Sequence, residues 1–125
     1  MAVRHILIID DDEALRTVLA ELFRVEGYVV QVAGNGSQAL KAMASDDFDV
    51  LLTDVAMPVM DGRELTRTLR DKGIHVPVVA MTAKRSISTV AREMGAAAYV
   101  QKPFDVEDLL ETVDRVVQQT TTNSA

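Results

Sequence analysis

Asp54 closes an apolar run, Val50-Leu51-Leu52-Thr53, just before a loop marked by Met57-Pro58 and Gly62. Apolar strands bury readily, but a carboxylate at a strand tip must share a crevice with other charges or a cation. Three more apolar stretches end in polar residues. Residues 6–9 lead into Asp10-Asp11, residues 78–81 into Thr82, and residues 97–101 into Lys102. Carboxylates gathered in one place repel each other and call for a proton or a cation. Oxygen donors without histidine or cysteine suit a hard ion, above all Mg2+, which keeps several of its waters. Thr82 adds a hydroxyl donor, and Lys102 a mobile charge able to pair with a carboxylate or a phosphoryl group. A carboxylate nucleophile, Mg2+ and a lysine are together what forming an aspartyl phosphate requires. Taken singly, each piece has a plainer explanation: an acidic helix start, a turn aspartate, a strand-end threonine, a lysine before proline. The joint pattern, at four of five strand ends, is what points to chemistry.

These side chains meet only if their strands end on one rim. Apolar strands are expected over residues 3–9, 28–32, 49–53, 78–81 and 97–101, each followed by a helical pattern. Leu15, Val18, Leu19, Leu22 and Phe23 form the first helical stripe, which Gly27 stops; Asp12 and Glu13 suit its positive start. Asn35 and Gln38 are spaced like a capping box ahead of Ala39, Leu40 and Met43. Leu65 and Leu69 face inward on a third helix that stops at Gly73. Ile87, Val90, Ala91 and Met94 mark a fourth, closed by Gly95. Asp105 caps the last, whose stripe is Val106, Leu109, Leu110, Val113, Val116 and Val117. Strands alternating with helices imply an α/β fold, an open doubly wound sheet of five parallel strands with helices on both faces. Such sheets bind ligands outside the carboxyl ends of their strands, where the strand order reverses.

A chain of 125 residues suits one domain, expected over residues 1–119, with residues 120–125 a disordered tail or linker stub. The net charge of −6 argues against sequence-independent nucleic-acid binding. Without cysteine there is no disulfide or thiolate site, and His5 and His75 stand apart from the acidic motifs as surface residues without a role. Met57, Met81 and Met94 read as core filler. No stretch suits a signal peptide or a membrane span, so a cytoplasmic location is expected.

The motifs IIDDD (8–12), LLTDVAMPVMDG (51–62), VVAMTA (78–83) and GAAAYVQKPF (95–104) resemble those of receiver domains from bacterial two-component response regulators. The resemblance runs from Arg4 to about Gln118. It implies a (βα)5 domain with flavodoxin-like strand order 2-1-3-4-5, in which Asp54 accepts a phosphoryl group from a histidine kinase or histidine phosphotransfer protein. It further implies that Asp11, Asp54 and the carbonyl of Ala56 bind Mg2+, with Asp10 acting mainly through a water. Thr82, Ala83 and Lys102 would contact the phosphoryl group, and Thr82 and Tyr99 would act as the switch. Pro58, Gly62 and Pro103 would shape the loops, the Lys102-Pro103 peptide being cis. Phosphorylation would then alter the face made by the fourth helix, fifth strand and fifth helix, changing the binding of a downstream protein. The resemblance describes an acceptor that assists its own phosphotransfer and dephosphorylation rather than an enzyme. Ala56 would make self-dephosphorylation slow to moderate, with Lys84 adding a charge at the same opening. The expected state is a monomer, with phosphorylation-driven dimerisation left open. The chain either works alone or is a piece of a longer regulator.

Two rivals share parts of the pattern. An aspartate-nucleophile phosphatase of the haloacid-dehalogenase type would use Asp10 and Asp12, but Ala14 stands where threonine or valine is expected, and there is no room for a cap. A flavodoxin-like electron carrier would need a neutral, glycine-rich loop after the first strand, where this chain has three aspartates.

Overall fold

The computed structural model describes residues 3–57, 59–82 and 92–123, the last four by backbone alone. Strands β1 (His5–Ile9), β2 (Val29–Ala33), β3 (Val50–Asp54), β4 (Val78–Thr82) and β5 (Ala98–Gln101) form one parallel sheet in the order β2-β1-β3-β4-β5. This is the expected doubly wound sheet with the expected strand order. The order reverses between β1 and β3, which places a crevice above their carboxyl ends.

β1, β3 and β4 read as unbroken apolar runs because both faces of each are covered. Alternate residues feed two cores. Ile6, Ile8, Val50, Leu52, Val79 and Met81 pack with α1 (Glu13–Val25) and the C-terminal helix α4 (Val106–Asn123). Leu7, Ile9, Leu51, Val78 and Ala80 pack with α2 (Gly36–Ser45), α3 (Gly62–Asp71) and Met94. Met57, Met81 and Met94 are all core residues, as expected.

The helices differ from expectation in places that have physical causes. In α1, Leu19, Ala20 and Phe23 are buried, whereas Val18 is 63% exposed. Val18 lies about 140° round the helix from Phe23, too far to join the inward stripe. Before α2, Asn35 accepts the Gln38 N–H at 2.9 Å, as a capping box requires. Gln38, however, accepts the N–H of Gly34 at 2.7 Å rather than that of Asn35, tying the loop down one residue earlier. Asp105 caps α4 by accepting the N–H groups of Glu107 and Asp108. Val106 is 47% exposed instead of inward, while Leu109, Val113, Val116 and Val117 are buried. α4 continues to Asn123, so no backbone break marks the boundary expected after residue 119. Once nucleated, a helix propagates beyond the stripe that anchors it. Of the helix expected over Ile87, Val90, Ala91 and Met94, only residues 92–94 are described; they are helical and precede Gly95 at φ +69°.

Candidate functional site

β1 and β3 are paired in the register Ile8↔Leu52 and Ile9↔Thr53, so the next residue on each strand is an aspartate. Asp10 keeps the parity of Ile6 and Ile8, and Asp54 that of Val50 and Leu52. That turns both carboxylates to the same side of strands about 4.8 Å apart. Asp10 is fully buried and Asp54 exposes only 9% of its surface. Asp11 is exposed beside them, and carboxylate oxygens of all three lie within 4.8 Å of one another.

Lys102 comes in from the other side. Its backbone N–H donates to the carbonyl of Thr82 at 2.9 Å, which carries the β4–β5 pairing one step past the strand end. From there its Nζ donates to Asp10 Oδ2 at 2.8 Å and lies 3.4 Å from Asp54 Oδ2. The Lys102-Pro103 peptide is cis, as the resemblance implied. Thr82, at the tip of β4, is 2% exposed. Asp12 stays out of the cluster and caps α1, accepting the Leu15 N–H at 3.1 Å, while its own N–H donates to Asp10 Oδ1 at 2.9 Å.

Charge and burial act against each other here. Burial raises the Asp54 carboxyl above an ordinary aspartate; the Lys102 charge pulls it back and the Asp10 charge adds to the rise. For Lys102, burial disfavours the ammonium, but its hydrogen bond to Asp10 and the charges of both aspartates outweigh that and raise it. The lysine therefore remains a cation at neutral pH, clamped to two acids.

The donor set fits a hard divalent ion. Mg2+ holds oxygens at about 2.1 Å, hence about 3–4 Å from each other, which small side-chain rotations would achieve from the observed spacing. Asp10 is engaged by Lys102 and the Asp12 N–H, while Asp54 faces the same ammonium at a longer 3.4 Å, so an ion would meet Asp11 and Asp54 more readily than Asp10.

Gly62 supports the acceptor from behind. Its N–H donates to the Val55 carbonyl at 2.8 Å, and a Cβ there would stand 2.9 Å from the Asp54 carbonyl oxygen and 3.1 Å from the Val55 Cα. Both obstacles are backbone, so they cannot swing aside. Gly62→Ala is expected to lose about 2 kcal/mol of stability, because the overpacking outweighs the helix-propensity gain. Urea denaturation measures the loss, and an unchanged midpoint would mean the loop behind Asp54 is looser than it looks.

Among the other expected site residues, Ala56 is exposed in the loop after β3, and Tyr99 is 48% exposed on the edge strand β5. His75 is exposed as expected, whereas His5 is half-buried at the start of β1. Pro58, Ala83 and Lys84 lie outside the described residues. Two residues not anticipated from the sequence also bear on the rim. Thr53 is buried and donates its hydroxyl to the Asp54 carbonyl at 2.9 Å. Arg16 donates from Nη1 to the Asp10 carbonyl at 2.8 Å. A buried threonine beside a strand-end acid was a usable signal; an arginine in a first helical turn carries none.

A parallel sheet in this order, with acidic residues and a lysine above its switch point, defines a doubly wound α/β domain built round a carboxylate site. The response regulator receiver domain family matches residues 6–114, and the chain belongs to it, a family of two-component signalling. Response regulator MprA of Mycobacterium ulcerans is 40% identical over 122 residues, covering 96% of this chain and 52% of the relative. MprA of Mycobacterium tuberculosis is also 40% identical over 122 residues, covering 96% of this chain and 53% of the relative. The chain thus spans about half the length of the curated relatives it matches. Chemotaxis response regulator CheY4 of Vibrio cholerae superposes with a TM-score of 0.85 at 31% identity, covering 92% of this chain and 99% of that one. Response regulator TrrA of Thermotoga maritima, solved in complex with Mg2+-BeF, has a TM-score of 0.82 at 31% identity, covering 91% and 99%.

Proposed function

We propose that this chain is a phosphorylation-dependent switch that accepts a phosphoryl group on Asp54 from the phosphohistidine of a histidine kinase or phosphotransfer protein. The observation that carries this is the Lys102 ammonium, 2.8 Å from Asp10 and 3.4 Å from Asp54 at the switch point of the sheet. A structural ion pair needs one carboxylate; here one cation serves two, with a third at hand. In the transfer, an Asp54 carboxylate oxygen forms a bond to phosphorus while the bond from phosphorus to the imidazole nitrogen breaks. The electron pair of that bond stays on the imidazole. Lys102 moves its charge from the Asp54 carboxylate to a phosphoryl oxygen, and the Thr82 hydroxyl donates to another. Mg2+, when held by Asp11, Asp54 and the Ala56 carbonyl, supplies positive charge against the phosphoryl oxygens, as the Mg2+-BeF complex of TrrA suggests by analogy.

The output follows from the same contacts. Thr82 and Tyr99 sit on β4 and β5, paired through Thr82↔Gln101 and Ala80↔Tyr99, so a pull on Thr82 is felt along β5. Tyr99 then turns inward, and the face made by the helix ending at Met94, β5 and α4 changes its fit to a downstream protein. A bias of about 1.4 kcal/mol already shifts the two populations tenfold, so few new hydrogen bonds are needed. With a net charge of −6, output runs through protein contacts, from a monomer that phosphorylation is able to pair. A cytoplasmic site of action goes with this reading; among the described residues no helix is long and apolar enough to cross a membrane.

Intact mass after incubation with Mg2+ and a small phosphoryl donor tests the proposal. A phosphoryl adduct that requires Mg2+ and is lost in Asp54→Asn is the expected result. No adduct, or one that survives that substitution, overturns it. Ala56 has no polar side chain to orient a hydrolytic water, so Ala56→Asn is expected to shorten the phosphoryl half-life. Adduct decay followed by mass measures it, and an unchanged half-life would exclude that position as the limit.

A further inference from the structure

Asp10 is held by more than its carboxylate partners. Its backbone N–H donates to the Ala33 carbonyl at 3.1 Å, at the end of β2. Its carbonyl accepts from Arg16 Nη1 at 2.8 Å, reached from the first turns of α1. The guanidinium lies over Gly34: a Cβ on that residue would stand 3.2 Å from Arg16 Nη1 and 3.3 Å from Gln38 Oε1. Gln38 in turn holds the Gly34 N–H at 2.7 Å from the first turn of α2. Two elements therefore bond the backbone of one residue, β2 through Ala33 and α1 through Arg16, while α2 holds the Gly34 beneath the guanidinium. The Asp10 side chain sits between Lys102 and the Asp12 N–H. A strand end normally frays into its loop; this one is pinned on both its amide and its carbonyl.

We propose that Arg16 is a positioning residue for the acidic rim. By fixing the Asp10 carbonyl it sets where the Asp10 carboxylate lies, and so the spacing that a divalent ion meets. The inference rests on the Mg2+ site proposed above. Two physical effects of Arg16 on that site have opposite signs, and that makes the role testable. As a nearby positive charge alone, the guanidinium would repel Mg2+, and its removal would tighten binding. As a positioning group, its removal loosens Asp10 and weakens binding. The hydrogen bond is direct, whereas the guanidinium faces the carbonyl rather than the carboxylates, so positioning is expected to win. Gly34 has a part in the same arrangement: without a side chain it leaves room for the guanidinium.

The test is a Mg2+ titration of the whole chain followed by amide shifts in 1H–15N spectra, on the parent, Arg16→Gln, Arg16→Lys, Gly34→Ala and the Arg16→Gln/Gly34→Ala double variant. Arg16→Gln is expected to raise the Mg2+ Kd about tenfold, the lower end for losing a partner that lies behind a metal site's own ligands. Arg16→Lys, which keeps a donor within reach of the carbonyl, is expected to recover most of that. Gly34→Ala is expected to weaken binding in the same direction, and the double variant to bind no worse than Arg16→Gln alone, since both act through one contact. In Mg2+-free protein the Asp12 amide, which donates to Asp10 Oδ1, is expected to shift in Arg16→Gln and Gly34→Ala. If Arg16→Gln binds Mg2+ as tightly as the parent or more tightly, the proposal is overturned. If Arg16→Gln fails to fold, Gly34→Ala decides: unchanged affinity with an unmoved Asp12 amide overturns the proposal. A parent chain that binds no Mg2+ would overturn the site itself, a result distinct from any change confined to the variants.

Discussion

Asp54→Asn is expected to be harder to unfold than the parent chain at neutral pH in the absence of divalent ions. The gain should be about 1 kcal/mol, the ordinary scale of a single-site effect but of the opposite sign to most. Burial raises the Asp54 carboxyl above an ordinary aspartate, with Lys102 offsetting part of the rise and Asp10 adding to it. A group raised in the folded state binds its proton more tightly there than in the unfolded chain. Its contribution to stability is complete below the ordinary value of 3.8 and is lost as pH rises through the raised value. At neutral pH the ionised carboxylate therefore costs stability, and asparagine, neutral throughout, removes that cost. The advantage of the variant should vanish in acid. Mg2+ should reverse the ranking, because it stabilises only the chain that binds it, by about 1.4 kcal/mol at ten times its Kd. Urea denaturation across pH, with and without Mg2+, measures all three. A variant less stable than the parent at neutral pH would show that the cluster is not strained by its own charge.

Lys102→Met is expected to act in the other direction and more strongly. Among the described residues its ammonium is the one cation within salt-bridge distance of the Asp10 carboxylate, whose side chain is 1% exposed, and it also faces Asp54 at 3.4 Å. Without it Asp10 keeps the Asp12 N–H but loses the charge that balances it. Removing one partner of a buried pair costs about 3 kcal/mol at the lower end of the usual range, and the open side of the rim toward Asp11 argues for that end. Two controls separate charge from packing. Asp10→Asn in the Lys102→Met background should restore much of the loss, since the two residues are in direct contact. Mg2+ should stabilise Lys102→Met more than the parent, because the ion no longer competes with an ammonium for the same oxygens. The pH dependence has its own sign. Lys102 is raised in the folded state, so its contribution is complete below the ordinary lysine value of 10.5 and is lost as pH rises through the raised value. A Lys102→Met protein as stable as its parent at neutral pH would rule out the clamp as a source of stability.

Strand-end chemistry was legible because a parallel sheet obeys a two-residue period. Once residues 6–9 and 50–53 are read as buried neighbours, Asp10 and Asp54 must come side by side, and the register does bring them together. Thr82 was placed by the same logic one strand further on, and Lys102 two. The failures share a cause as well. Val18 and Val106 were assigned inward on their apolar character, yet a helix has more apolar positions than its sheet can cover. Gln38 bonds Gly34 instead of completing the box with Asn35, a choice set by the path of the loop and not by spacing. Gly62 was recognised as a loop-shaping residue, but the backbone of Asp54 standing 2.9 Å from its missing Cβ is a fact of packing alone. Arg16 went unremarked because its role depends on the end of β2 and the start of α2 arriving at the same point. Nothing local to residue 16 records that.

The order of the strands also divides the domain by stiffness. Asp10 and Asp54 stand at the ends of strands flanked on both sides by others, where backbone bonds are expected to open last. Lys102 and Tyr99 belong to β5 and its continuation, an outer strand with one neighbour and a free margin. In the proposed switch, the half that would receive the phosphoryl group is thus anchored in strands flanked on both sides, while the half that would report it rides on the outer strand. On that reading, a message held at the centre of the sheet would become movement at its margin.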